Sequence, residues 1–375
     1  MCQFRRFLAV SLVCLAILAS PPTVTGFETD QYDLPPTPLA DIGNEASDQI
    51  QQRIQEAIDE INGRILDDDL CLKSFYDSKS RSCNRDRARN ELNYLRSEPA
   101  LAQAVYEKLG AGLVPFCKIE SWIEKHEFKN RPARYKISFW KSLFLFWPTG
   151  NIGLSPTVKL YGHEFGTDKF GHIFQQGYTY YKIYKRALDG GKSPDESARE
   201  AVRWGQRTEE TIYGTLITGV YSNGDLFGNY VGMKFYEGLT HDIKISASVR
   251  PAIVVLKNGF WALNDQGTLR TRLLRVFISD HLNEALNPSI FTNMLGLRSY
   301  VRRKVANRSC ARWFNRYPGL SRASLQEQSR SLTLWHSEDY GFTPSEHFIT
   351  IASACFEEDG TPRFQPTIAK RQEPK

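Results

Sequence analysis

Between positions 50 and 65 the apolar residues Ile50, Ile54, Ala57, Ile58, Ile61 and Ile65 recur at three- and four-residue steps, with polar residues between them. That spacing predicts a long amphipathic helix that begins near Ser47 and buries one face. Helices are predicted next over about 86 to 96 and 99 to 109; Glu98-Pro99 opens the second and Gly110 stops it. Ser193-Pro194-Asp195-Glu196 has the makings of a capping box with proline in the first turn, and starts a helix through "ESAREAVRWGQRTEETIYG". Ser222-Asn223-Gly224-Asp225 repeats that chemistry ahead of "LFGNYVGMKFYEGL", where Gly224, Gly228 and Gly232 occupy every fourth position. Such a stripe leaves a groove into which a second backbone can press. Further helices are predicted around 270 to 286 and 291 to 315.

Strand alternation is scarce. "PAIVVLKNGFWALNDQG" carries two short apolar runs about a turn at Lys257-Asn258-Gly259, which is a hairpin signal. "YKISFWKSLFLFWPTGNIGLSP" is dense in aromatic and β-branched residues and reads as a strand or as a loop lining an apolar surface. Because helix follows helix, a Rossmann-type sheet is not expected. The pattern predicts a mainly α fold, a multi-helix bundle with a few short strands or a hairpin.

The first six residues are a short cationic lead into "FLAVSLVCLAILAS", after which Pro21-Pro22 and "TVTG" offer a cleavage point near Gly26. This is the order and length of a signal peptide over 1–26. The apolar run is shorter than the roughly 20 residues of a spanning helix, and no later stretch approaches that length. The expected location is therefore periplasmic or secreted, with no transmembrane helix in the mature chain. Residues 27–45 are proline-rich, acidic and aperiodic, and read as a tether. An N-terminal helical subdomain over 46–111, a main helical domain with a polar pocket over 112–358 and a polar tail over 359–375 complete the expected organisation.

Of seven cysteines, two lie in the leader; the remaining five permit two disulfides and one thiol. Cys71 and Cys83 bracket a polar loop, Cys310 and Cys355 would close the C-terminal region, and Cys117 is left as a buried thiol. The formal net charge of +6, or +4 without the leader arginines, is too mild for nucleic acid. The basic run "RSYVRRKVANR" reads as a helix with a solvated cationic face, or as a peripheral contact with anionic lipid or glycan.

The densest chemistry is in "YGHEFGTDKFGHIFQQGYTYYKIY", residues 161 to 184. With Thr167 as N-cap, Asp168, His172, Gln175 and Gln176 fall within roughly a 100° arc of one helix. Aromatic residues crowd the other faces, so these polar groups need buried partners. Glu209 and Glu210, then Asp225 and Asn229, then Asp280, His281 and Glu284, each at helical spacing, can supply them. Three chemistries fit such a pocket. A divalent metal such as zinc would use His172 and Asp168 with a third ligand such as Glu164, Glu209 or His281. Carboxylates alone would use Glu164, Glu209 or Glu210 as acid and base, with Tyr178 and Tyr181 as substrate walls. A His–Asp pair would act as a base toward water or a serine, though no nucleophile-elbow sequence accompanies it. Gln175, Gln176, Asp225 and Asn229 would bind substrate. The plainer readings are a non-catalytic ligand pocket, or Asp168 pairing with Lys169 or an arginine while His172 packs as a satisfied core histidine.

The Asp168-Lys169-x-x-His172 core in "GTDKFGHIFQQGYTYY" resembles the short motif of VanZ-like and YfiM-like bacterial envelope proteins. The resemblance covers some 16 residues, implies a bacterial cell-envelope setting, and marks Asp168, Lys169 and His172 as signature positions. The expectation is an exported envelope protein acting as a hydrolase on an envelope lipid or glycan. The alternative is a non-enzymatic binding or structural protein that uses an apolar, aromatic groove.

Overall fold

The computed structural model describes residues 26–73, 83–112, 117–144, 152–211, 219–264, 272–292 and 296–363. Residues 1–25 of the expected leader lie outside them, as does the middle of the aromatic stretch. The chain is mainly α, with small two- and three-stranded sheets. Among the described residues no helix is long and apolar enough to cross a membrane.

Strand β1 (Gly26–Glu28) leads to α1 (Gly43–Lys73), whose isoleucine face is buried as its spacing predicts. α2 (Arg85–Leu95) and α3 (Glu98–Leu109) pack on α1, and α4 (Lys118–Lys125) follows. Strands β2 (Arg134–Tyr135), β3 (Ile152–Leu154), β4 (Thr157–Leu160) and β5 (His163–Gly166) come next. β3 pairs in parallel with β1, whereas β2, β4 and β5 form an antiparallel sheet. The central helix starts as α5 (Lys169–Gly171), passes through one π turn (His172–Gln176) and continues as α6 (Gly177–Asp189). α7 (Pro194–Glu210) has the capping box read from its sequence. β6 (Val220–Ser222) then leads into α8 (Asn223–Glu237), which is buried along nearly its whole length.

Two hairpins follow, β7 (Ile243–Ile245) with β8 (Ser248–Arg250) and β9 (Val254–Lys257) with β10 (Phe260–Leu263). The second is the expected one: Asn258 and Gly259 have φ of 53° and 83°, the left-handed pair that a two-residue turn needs. Its Trp261 exchanges backbone hydrogen bonds with the Asn62 side chain on α1 and donates its indole N–H to Leu95 O. One apolar core therefore runs from Ile42 through α1–α3 to Tyr340, joining the segments expected as subdomain and main domain.

The C-terminal part holds β11 (Ser289–Phe291), α9 (Leu297–Arg308), α10 (Cys310–Arg316), α11 (Arg322–Ser331), β12 (Phe348–Ile349) and α12 (Ile351–Cys355). A second core cluster is closed by the Cys310–Cys355 disulfide; Cys71–Cys83 is also formed, and Cys117 is a buried thiol. The disulfides fit an oxidising compartment.

Three expectations are corrected. Residues 28–34 are no tether: Glu28, Thr29, Asp30, Gln31 and Asp33 are buried, and Arg308 and Arg312 on α9 and α10 bind Asp30 and Asp33. The acidic composition that looked solvated is paired inside the protein. No helix spans 272–286; two short 3₁₀ turns, Arg275–Phe277 and Asp280–Leu282, occupy that stretch, so Asp280, His281 and Glu284 point to different partners. The helix expected from 291 begins at Leu297, because Ser289–Phe291 is taken up between β6 and β12.

Candidate functional site

The glycine stripe of α8 sets the site. A Cβ added at Gly228 would stand 2.9 Å from the His172 Cβ, and one at Gly232 would meet Ile173 O and Gly177 Cα. The central helix thus lies in the groove read from the sequence, with Lys169 and His172 against Asp225 and Asn229. Lys169 is fully buried, and its Nζ donates to Asp168 Oδ2 at 2.6 Å, Asp225 Oδ1 at 2.6 Å and Glu284 Oε1 at 2.7 Å. Asp168 also accepts from Thr29 Oγ1 at 2.5 Å, from the segment expected to be a tether. Ser222 caps α8 by accepting from Asp225 N–H and donates its hydroxyl to Glu284, while its own N–H donates to Glu209 Oε1 at 3.1 Å. The Asp225 side chain serves Lys169 rather than completing a capping box.

His172 stands at the edge of this network. Its Nδ1 is 3.0 Å from Asn229 Oδ1 and its Nε2 is 3.2 Å from Asp225 Oδ1. As an imidazolium the ring donates to both; as a neutral ring it keeps both contacts only if the Asn229 amide turns over. The His172 side chain is 21 % exposed, against 8 % for Asp225 and 4 % or less for Asp168, Lys169 and Glu284.

Electrostatics follow from burial. Desolvation would lower the Lys169 ammonium, but Asp168, Asp225 and Glu284 hold it well above its usual range. Burial pushes Glu28 and Glu209 well above the carboxylate range, helped by neighbouring acids. Glu284 is raised to about 7 by burial despite Lys169. Burial also opposes the Asp225 carboxylate, yet His172 and Lys169 outweigh it and lower it.

A satellite pair lies beside the network. Glu120 on α4 accepts from Ser155 Oγ at 2.8 Å, and burial, then the charge of Asp168, raises it from 4.5 to about 8. A raised acid favours the folded state below its unfolded value, and that contribution is lost as pH rises from about 4.5 to about 8. Denaturant midpoints should fall between pH 5 and pH 8, and Glu120→Gln, which keeps the Ser155 contact, should remove a large part of the fall. An equal fall in the variant would contradict this assignment.

The remaining predicted residues are placed as follows. Glu209 belongs to the network, whereas Glu210 is exposed at the end of α7. Glu164 faces Arg316 at 3.7 Å and burial raises it; its backbone carbonyl accepts from Asn283. Gln175 and Gln176 are half-buried within the π turn, where the Gly177 N–H bonds back five residues to His172 O. That wider turn carries them off the ideal arc. Tyr178 stacks on Tyr106 at 4.4 Å, and buried Tyr181 joins it in an aromatic contact with Tyr236, which seats α6 on α3 and α8.

Thr167 does not cap the helix: it is buried and its hydroxyl has no hydrogen-bond partner. Among the described residues His281 does not join Asp168 and His172 in a ligand cluster. Its Nδ1 meets Ser279 and its Nε2 meets Leu334 O, its ring stacks on Phe227, and burial lowers it to about 4. Asp168, His172 and Asp225 do bring one ligand atom each within 4.8 Å of one another. The Lys169 ammonium already sits on Asp168 and Asp225, so a zinc ion there would have to compete with it.

Lys169 entered the sequence reading only as a partner for Asp168 and as a motif position, and Glu28, Thr29 and Glu120 did not enter it. The available signal was a lysine set among Phe165, Phe170, Ile173 and Phe174, a neighbourhood where an ammonium must be paired.

The fold and site define a mainly α, disulfide-bonded protein built about one buried lysine among carboxylates. Compared with protein families, with curated proteins and with solved structures, the chain gives no match.

Proposed function

We propose that the chain is an exported envelope protein with an acid/base hydrolytic centre at His172, which Asp225 and Asn229 orient and the Lys169 cluster holds in place. The supporting observation is that His172 alone among the members compared above keeps substantial exposure while a carboxylate and an amide fix its ring. A histidine oriented by a carboxylate is the usual architecture of a general base; here Asp225 holds the Nε2–H, and Nδ1 takes the proton from water once the Asn229 amide swings off it. Asp168 is a positioning residue in this reading, because Thr29 and Lys169 already use both its oxygens. An envelope lipid or glycan is the substrate class that the expected compartment suggests.

The rival reading, a non-enzymatic binding or structural protein, draws on the same saturation of Asp168 and on Trp140, which is 76 % exposed.

A chromogenic panel of 4-nitrophenyl acyl esters, 4-nitrophenyl glycosides and bis(4-nitrophenyl) phosphate separates the two. Turnover of one class by the native protein should fall about 100-fold or more in His172→Gln with the thermal midpoint little changed. No turnover by the native protein, with His172→Gln merely less stable, would favour the binding protein.

A further inference from the structure

Within the same network, Glu28, Asp168 and Glu284 bring one carboxylate oxygen each within 4.8 Å of one another. That is the spread three oxygens take around one hard cation with metal–oxygen distances of about 2.0–2.6 Å. Glu28 is 3 % exposed, and its Oε2 has no hydrogen-bond partner. Leaving a buried carboxylate oxygen unpartnered is costly. Lys169 cannot relieve it, since its three ammonium hydrogens go to Asp168, Asp225 and Glu284. The lysine uses Oδ2 of Asp168 and Oε1 of Glu284; Oδ1 of Asp168 accepts from Thr29 and keeps its second lone pair for an ion, beside Oε2 of Glu284. Five carboxyls, Glu28, Asp168, Glu209, Asp225 and Glu284, gather around this one lysine, and burial favours the protonated forms of Glu28, Glu209 and Glu284. A divalent ion bound by Glu28 and Glu284 would take the place of their protons.

We infer that Glu28, Asp168 and Glu284 form a binding site for a hard divalent cation, of the calcium, magnesium or manganese class. The all-oxygen donor set selects that class over zinc or copper. The ion ties β1 to the start of α5 and to the loop before β11, so the N-terminal strand is fastened to the helical centre. This site does not depend on a catalytic role for His172, and its test reads binding rather than turnover.

Full-length protein stripped with EDTA is dialysed against calcium, magnesium or manganese chloride, and the bound metal is measured by elemental analysis beside a thermal melt. The native chain should hold about one ion and melt higher when loaded. Glu28→Gln should lose the ion and the metal-dependent rise, and melt close to the stripped native protein. Should Glu28→Gln fail to fold, Glu28→Asp, which withdraws the carboxylate by one methylene, should weaken binding about tenfold or more. A native protein that takes up none of the three ions overturns the inference. So does ion binding in Glu28→Gln, or in Glu28→Asp, equal to that of the native chain.

Discussion

Lys169→Met is expected to destabilise the protein by about 3–5 kcal/mol, or to prevent folding outright. The ammonium is fully buried and is the shared partner of Asp168, Asp225 and Glu284. Methionine fills a similar volume but leaves those carboxyls facing one another without a donor, and each must then be neutralised or lose its partner. Urea denaturation of Lys169→Met and of the double variant Lys169→Met/Glu284→Gln measures the effect. The double variant should recover part of the loss, because it removes one of the carboxyls left without a donor, and burial already raises Glu284 to about 7. If Lys169→Met were as stable as the native chain, the carboxyls would have to be protonated throughout and the lysine dispensable.

Gly232→Ala is expected to cost about 3 kcal/mol or more, at the upper end for an added methyl group. The new Cβ would stand 2.1 Å from Ile173 O and 2.8 Å from Gly177 Cα, both backbone atoms that no side-chain rotation can move aside. The central helix would have to back away from α8, which also pulls His172 from Asn229. Gly63→Ala on the exposed face of α1 is the control, since nothing lies within 4 Å of its Cβ and alanine is the better helix former by about 1 kcal/mol. Chemical denaturation should move the two variants in opposite directions. A Gly232→Ala midpoint equal to the native value would show that the helices are not held in this contact.

The helices and their partners were legible to different degrees. The face of α1, the capping box of α7, the Asn258-Gly259 hairpin and both disulfides are local patterns, set by spacing, by turn stereochemistry or by the few cysteines present. The glycine stripe correctly announced a close helix crossing, though not that the crossing segment would be 169–177. The stretch 272–286 had helical spacing but folds as short turns, since Glu284 is drawn to Lys169 and Ser222 and Asp280 to His163. His281 looked like a ligand and is a packed, satisfied ring for the same reason: its partners, Ser279 and Leu334, depend on how the chain returns.

By itself the sequence determined the class of the fold, its principal helices, its hairpin, its cysteine pairs and the polar character of the segment around Asp168 and His172. These follow from interactions within a few residues of chain, or from the small number of possible pairings. Tertiary structure decided the site itself. Thr29 lies 139 residues from Asp168, and Glu284 lies 115 from Lys169. Only burial turns the acidic run at 28–33 from an apparent solvated linker into part of an ionic core, because in a low-dielectric interior each charge must find its counter-charge wherever the chain brings it.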